Sequence, residues 1–224
     1  MINNKYITGI ILAAGNSVRF NKGSNKNFEL ILNKPVIMYS VEVFENNDFI
    51  DNIIIVVKDN EKKYLNNLLK QFDIQKDILL VSGGSTRKES VYNALLKTEA
   101  HYVVIHDGAR PNVNNKIINL CLENLLYYTG VITGVKSKDT IKIVNDNNVV
   151  VETTNRDNTW NIQTPQCFDK NILLEMHEKY KDDVTDDSLL LEEEYEVKVI
   201  EGDYANIKIT TIEDIKIIEG FIKK

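Results

Sequence analysis

The run Tyr6-Ile7-Thr8-Gly9-Ile10-Ile11-Leu12-Ala13-Ala14-Gly15 decides the architecture. It is apolar and rich in isoleucine, with no polar alternation, which is how a strand buried on both faces of a parallel sheet reads. It ends in three small residues, where a backbone can approach a ligand closely. The same pattern recurs downstream. Asn52–Val57, Ile78–Val81 and Tyr102–Ile105 read as strands, and Val131-Ile132 begins another. Between them, a helix opened by Pro35 runs to about Phe44. Further helices are expected over Glu61–Gln71, from a cap at Ser85 or Thr86 to about Lys97, and over Ile117–Tyr128. Strand–helix alternation of this kind predicts an α/β fold, a doubly wound, mostly parallel, Rossmann-like sheet.

The alternation breaks near Lys138. Thr140–Val144 and Val149–Thr153 flank the turn Asn145-Asp146-Asn147-Asn148, a β-hairpin. A lone two-stranded hairpin is marginal in water, so it needs a surface to lie on. We expect a protruding arm that packs on a second subunit; an antiparallel addition to the main sheet is the other reading. Beyond Trp160 the pattern predicts a helix over Lys170–Tyr180, an acidic helix starting near Thr185 and a strand over Val197–Ile200. A short strand over Asn206–Thr210 and a last helix over Thr211–Ile222 complete the chain. With no repeat, low-complexity tract or linker, residues 1–224 read as a single domain with an arm at about 138–160.

Composition narrows the function. The 224 residues are 43% hydrophobic and 27% charged, as in a globular protein. No apolar run approaches the roughly 20 residues of a membrane span, and a strand so near the N-terminus leaves no room for a signal peptide. Cys121 and Cys167 give neither a disulfide framework nor a cysteine metal site. A net charge of −6 argues against nucleic-acid or anionic-membrane partners, and the expected location is the cytoplasm. Of 27 basic residues, four are arginine: Arg19, Arg87, Arg110 and Arg156. Arginine is hard to replace where a planar charged fork grips a phosphate or carboxylate, which marks these four for attention.

Ligands of open α/β sheets bind at the carboxyl ends of strands. Three of the expected strand ends carry suitable chemistry. After the first come Ala13, Ala14, Gly15 and a polar loop holding Arg19, Lys22 and Lys26, a cation string suited to a triphosphate. It is neither the dinucleotide fingerprint, since Ser17 and Phe20 stand where glycines belong, nor a P-loop. After the third comes Ser82-Gly83-Gly84-Ser85-Thr86-Arg87, with Ser90 one helical turn further on. After the fourth comes His106-Asp107-Gly108-Ala109-Arg110-Pro111. Asp107 there either holds Mg²⁺ or a substrate hydroxyl, or forms a local ion pair with Arg110. His106 reads as a packed strand-end histidine. Thr185-Asp186-Asp187 reads locally as a helix cap, and Lys208 as a snorkelling edge residue.

Together these segments resemble one family. Leu12–Gly15, Asn25–Phe28, Gly83-Gly84 with Arg87 and Ser90, His106–Pro111, Lys138–Thr140, Gln163–Gln166, Thr185–Asp187 and Glu201–Thr210 look like the motifs of the 2-C-methyl-D-erythritol 4-phosphate cytidylyltransferases, in order and over nearly the whole chain. The ribitol-5-phosphate cytidylyltransferases are similar and share most of them. The resemblance implies a nucleotidyltransferase that joins CTP to a polyol phosphate with Mg²⁺, releasing pyrophosphate, and works as a homodimer through its β-arm. It implies catalytic roles for Arg19, Lys26 and Lys208, reversing the local reading of Lys208. It implies nucleotide binding by Ala13, Ala14, Gly15, Gly84, Ser85 and Ser90, and acceptor binding by Asp107, Arg110, Thr140, Arg156, Thr164 and Thr185. The metal would be held mainly by the CTP phosphates, with Asp107 a candidate ligand. Two other classes stand against this reading: a non-catalytic nucleotide-binding module, disfavoured by the presence of Lys26 and Lys208, and a nicotinamide oxidoreductase, disfavoured by the missing glycines.

Overall fold

A computed structural model of the chain describes residues 4–16, 20 and 25–223. In chain order its strands are β1 (Ile7–Leu12), the short pair β2 (Leu30–Ile31) and β3 (Lys34–Pro35), β4 (Asn52–Val57), β5 (Ile78–Ser82), β6 (Tyr102–Asp107), β7 (Gly130–Lys136), β8 (Lys142–Val144), β9 (Val150–Thr153), β10 (Trp160–Asp169) and β11 (Val197–Glu201). Its helices are α1 (Val36–Glu45), α2 (Asp59–Leu69), α3 (Arg87–Leu95), α4 (Asn115–Asn124), α5 (Lys170–Lys179) and α6 (Ile212–Ile222). Seven strands form one sheet in the order β11-β7-β10-β6-β1-β4-β5. β1 lies near the middle, parallel to both β4 and β6. Because the chain goes from β1 outward to β4 and β5 and then returns to β6 on the other side, the strand order reverses beside β1. That reversal opens a crevice at the carboxyl ends.

Side-chain alternation builds a core on each face. Ile7, Ile11, Ile53 and Ile55 pack with Met38, Val41, Leu65 and Ile118 of α1, α2 and α4. Ile10, Ile54, Val56 and Ile105 pack with Val91, Leu95, Leu173 and Met176 of α3 and α5. The isoleucine run thus serves both cores, as a strand buried on two faces must. Both cysteines are free and buried. Among the described residues no helix is long and apolar enough to cross a membrane.

Four expectations are corrected. β6 continues through His106 and Asp107 instead of stopping before them. β10 was not anticipated: its sequence holds Pro165, which ordinarily argues against a central strand. The register shifts between Gln163 and Gln166, so the proline sits in an irregularity and costs no ladder bond. β10 runs antiparallel to both its neighbours, β6 and β7. In place of an acidic helix near Thr185 there is one 3₁₀ turn, Asp187–Leu190, capped by Asp186. Asn206–Thr210 is not a strand, because its hydrogen bonds go to loop carbonyls and side chains, described below.

The arm is a separate two-stranded sheet, β8 with β9, and not an extension of the main one. Its apolar residues lie open to solvent, Val150 at 54% and Val151 at 67% exposure.

Candidate functional site

At the carboxyl ends of β1, β5 and β6 lies a cavity of about 580 Å³. The strand ends meet there because their loops are pulled together. The Ala13 N–H donates to the Val56 carbonyl at 2.7 Å, and its own carbonyl accepts from Asn25 Nδ2 at 2.8 Å and Asn27 Nδ2 at 3.3 Å. These bonds fasten the 3₁₀ turn Lys26–Phe28 beside the end of β1 and aim Lys26 at the cavity. They also consume the Ala13 backbone. Ala14, Gly15 and Asn16 line the cavity and Ala13 does not. The loop after β5 presses in so closely that a Cβ on Gly83 would sit 2.3 Å from that of Ala14. This loop is braced internally. Thr86 caps α3 by accepting from the Glu89 N–H, and Ser90 Oγ accepts from the Gly84 N–H at 3.0 Å. Ser85 donates both its N–H and its hydroxyl to Glu89.

Lys208 arrives from the far end of the chain. Ile209 is fully buried, and its N–H donates to the Ala109 carbonyl at 2.8 Å. Asn206 donates to the Thr164 carbonyl, and the Asn206 carbonyl accepts from Arg110 Nη1 at 2.8 Å. Lys26 Nζ donates to the Ile209 carbonyl at 2.5 Å. These bonds lay residues 206–209 across the strand ends, which is why no ladder forms there. They bring Lys26 and Lys208 to the same cavity wall.

The cavity wall carries Lys26, Lys58, Arg87 and Lys208 against one carboxylate, Asp107. Asp107 faces Lys208 Nζ at 2.8 Å, Arg110 Nε at 3.6 Å and Arg87 Nε at 3.9 Å. Burial would raise its pKa, but Lys208, then Arg87 and Arg110, outweigh burial and hold it well below the usual carboxylate range. Asp107 thus makes the expected ion pair with Arg110 and also lines the cavity. Its role as a metal ligand does not fit, since cations already occupy the carboxylate. Among the described residues no group of three His, Cys, Asp or Glu side chains could hold a metal ion. A chain of net charge −6 has concentrated positive charge at one strand-end crevice, an arrangement that attracts and neutralises a polyanion.

The remaining candidates divide. Gly84, Ser85 and Ser90 line the cavity. Arg110 and Thr164 do not, and stand behind it. Arg110 bonds Asn206 as above, and Thr164 Oγ1 accepts from the Asp107 N–H at 3.0 Å. Thr140 and Arg156 are exposed on and just beyond the arm, and Thr185 is exposed before the 3₁₀ turn; none lines the cavity of its own chain. Arg19, with Ser17, Val18 and Lys22 of the same loop, lies outside the described residues. Lys58 and Asn27 were missed as cavity residues. Lys58 follows directly on β4, so the strand-end rule alone could have found it.

His106 is fully buried, as a packed histidine should be. Its Nδ1 bonds Thr164 Oγ1 at 3.0 Å and its Nε2 lies 3.1 Å from the Arg110 carbonyl. Burial pushes its pKa down from 6.5 to about 4, so it is neutral near pH 7. The unfolded chain then binds a proton more readily than the folded one. Stability is complete above about pH 6.5 and is lost as pH falls toward 4, by about 3 kcal/mol in all. Urea-unfolding free energies measured across that window should fall for the wild type and stay nearly flat for His106→Asn. Parallel slopes would contradict the assignment.

Comparison with known proteins adds a family. Residues 7–224 match the family model described as 2-C-methyl-D-erythritol 4-phosphate cytidylyltransferase. The enzyme of that name from Clostridium beijerinckii is 44% identical, the match covering 97% of this chain and 98% of that one. Its namesake from Caldanaerobacter subterraneus subsp. tengcongensis is 40% identical, over 97% and 99%. The crystal structure of 4-diphosphocytidyl-2C-methyl-D-erythritol synthase from Anaerococcus prevotii superposes with a TM-score of 0.87 at 35% identity, covering 98% of this chain and 99% of that one.

Proposed function

Because the chain belongs to the 2-C-methyl-D-erythritol 4-phosphate cytidylyltransferase family, we propose as its function the transfer of a cytidylyl group from CTP to 2-C-methyl-D-erythritol 4-phosphate. The products are 4-diphosphocytidyl-2-C-methyl-D-erythritol and pyrophosphate, a step of isoprenoid precursor synthesis. The observation that carries this reading is the gathering of Lys26, Lys58, Arg87 and Lys208, with Asp107, in the lining of one strand-end cavity.

An oxygen of the acceptor phosphate attacks the α-phosphorus of CTP in line. The bond from that phosphorus to the β-phosphate breaks, and pyrophosphate leaves with the electron pair. Both reactants are anions, so the protein's task is to align them and neutralise charge that builds at the phosphorus. Arg19 and Lys26 are assigned to the triphosphate. An ammonium has three donors, so Lys26 can keep the Ile209 carbonyl and still reach a phosphate oxygen. Lys208 is assigned to the reacting groups. Ala14 and Gly15 offer backbone contacts, and Gly84, Ser85 and Ser90 read cytosine and ribose. On the acceptor side Asp107 receives hydroxyls, with Arg110 and Thr164 holding it in place. Thr185 is assigned to the same substrate, and Thr140 and Arg156 are assigned to it from a second subunit's arm.

Nucleotidyltransferases generally use a divalent metal, and we assign Mg²⁺ here. Because no carboxylate cage occurs among the described residues, the triphosphate oxygens would hold the metal, which would offset part of the nucleotide's charge. We read residues 1–224 as one domain with its arm, acting in the cytoplasm as a homodimer, with no nucleic-acid or membrane partner.

The test is pyrophosphate release from CTP and Mg²⁺ with each of two acceptors. Methylerythritol phosphate should be much the better substrate. Ribitol 5-phosphate as the better one would move the chain to the neighbouring family, and release with neither would refute the reading.

A further inference from the structure

Behind the cavity wall lies a buried chain of charge that the proposed chemistry does not use. Asp187 is fully buried, and its Oδ2 accepts from Arg87 Nη1 at 2.6 Å. Its other oxygen, Oδ1, has no hydrogen-bond partner, and neither has either ring nitrogen of His177 on α5. These orphaned groups face each other, His177 Nε2 lying 3.6 Å from Asp187 Oδ1. The imidazole is fully buried and stacks on Tyr92 of α3 at 6.2 Å between ring centres. An apolar side chain could fill that space without burying two polar atoms. A histidine there has one acceptor within reach, and a slight closure completes the bond.

From Asp187 the chain continues outward. Arg87 lines the cavity and turns its Nε toward Asp107, which holds Lys208. We propose that His177 is a positioning residue for the transfer reaction: its Nε2–H holds Asp187, and Asp187 fixes Arg87 against Asp107 and Lys208 at the cavity wall. The proposal rests on the function given above. His177 touches no substrate. It acts by removing freedom from a cation that would otherwise swing between two carboxylates.

The experiment compares wild type, His177→Phe and His177→Gln by melting temperature and by steady-state pyrophosphate release. Phenylalanine keeps the ring and loses the donor; glutamine keeps a donor near the Nε2 position and loses the ring. Expected for His177→Phe is a kcat about 10-fold lower with the KM for CTP within about 2-fold, the signature of misplaced rather than lost contacts. His177→Gln should recover kcat to within about 3-fold of wild type. His177→Leu serves as a second apolar variant should the phenylalanine not fold. An apolar variant with wild-type kcat overturns the proposal. So does equal loss in the glutamine and apolar variants, because the donor that glutamine keeps would then contribute nothing. Apolar variants that fail to fold beside a folded, active glutamine variant would make His177 merely structural and overturn it too. A wild type that releases no pyrophosphate refutes the functional reading itself, a different result from an active wild type indifferent to His177.

Discussion

Lys26→Ala should lower kcat by about 10²–10³ and leave the fold intact, the size of effect expected when one contact to developing charge is removed. Two losses combine in this variant. The ammonium assigned to the triphosphate disappears, and so does the bond to the Ile209 carbonyl that steadies the segment bearing Lys208. The fold survives because the turn is fastened by its neighbours, Asn25 and Asn27, through the Ala13 carbonyl, and not by Lys26. Steady-state kinetics with circular dichroism as the folding control checks this. An unchanged kcat with only a raised KM for CTP would restrict Lys26 to ground-state binding.

Arg156→Ala should raise the KM for methylerythritol phosphate by about 10- to 10²-fold, the cost of deleting a charge-assisted contact to a phosphate, and leave the KM for CTP nearly unchanged. Arg156 begins an exposed 3₁₀ turn, Arg156–Asn158, held by the Asn155 side chain, so truncation there should barely change stability. It does not line its own chain's cavity. In the proposed homodimer its effect would pass through a second copy, with the exposed valines of the arm as the proposed apolar contact. Equal weakening of both substrates would contradict the assignment of the arm to the acceptor.

The sheet was readable from sequence because its strands are unambiguous. Ile7–Leu12 and Asn52–Val57 are buried on both faces and carry no competing signal. β10 was unreadable for the opposite reason: Gln163, Thr164, Pro165 and Gln166 look like a loop, and only the pairing of the residues on either side of the Thr164-Pro165 irregularity with β6 and β7 makes the segment a strand. Local pattern also misled at Asn206–Thr210. Alternating Ile207, Lys208 and Ile209 imitates an edge strand, whereas tertiary bonds from Ala109, Arg110 and Lys26 set its path. The site shows the same division. Gly15, Gly84 and Asp107 follow from the strand-end rule. Lys208 came from family resemblance alone, since no local feature of residue 208 reveals a carboxylate 101 positions earlier in the chain. The buried Asp187 and its orphaned partner His177 left no sequence signal beyond an ordinary cap and an ordinary helical residue.

In the proposed homodimer, one working site needs cations from two chains. Mixing Lys26→Ala with Arg156→Ala protein, at acceptor concentrations where neither variant alone is active, tests this most directly. In a dimer of one variant with the other, one cavity combines an intact Lys26 with an intact Arg156 if the arms cross. Random exchange of subunits should then restore about a quarter of wild-type pyrophosphate release. A mixture no more active than its separate components, with mixed dimers verified to be present, would mean that each chain completes its own site.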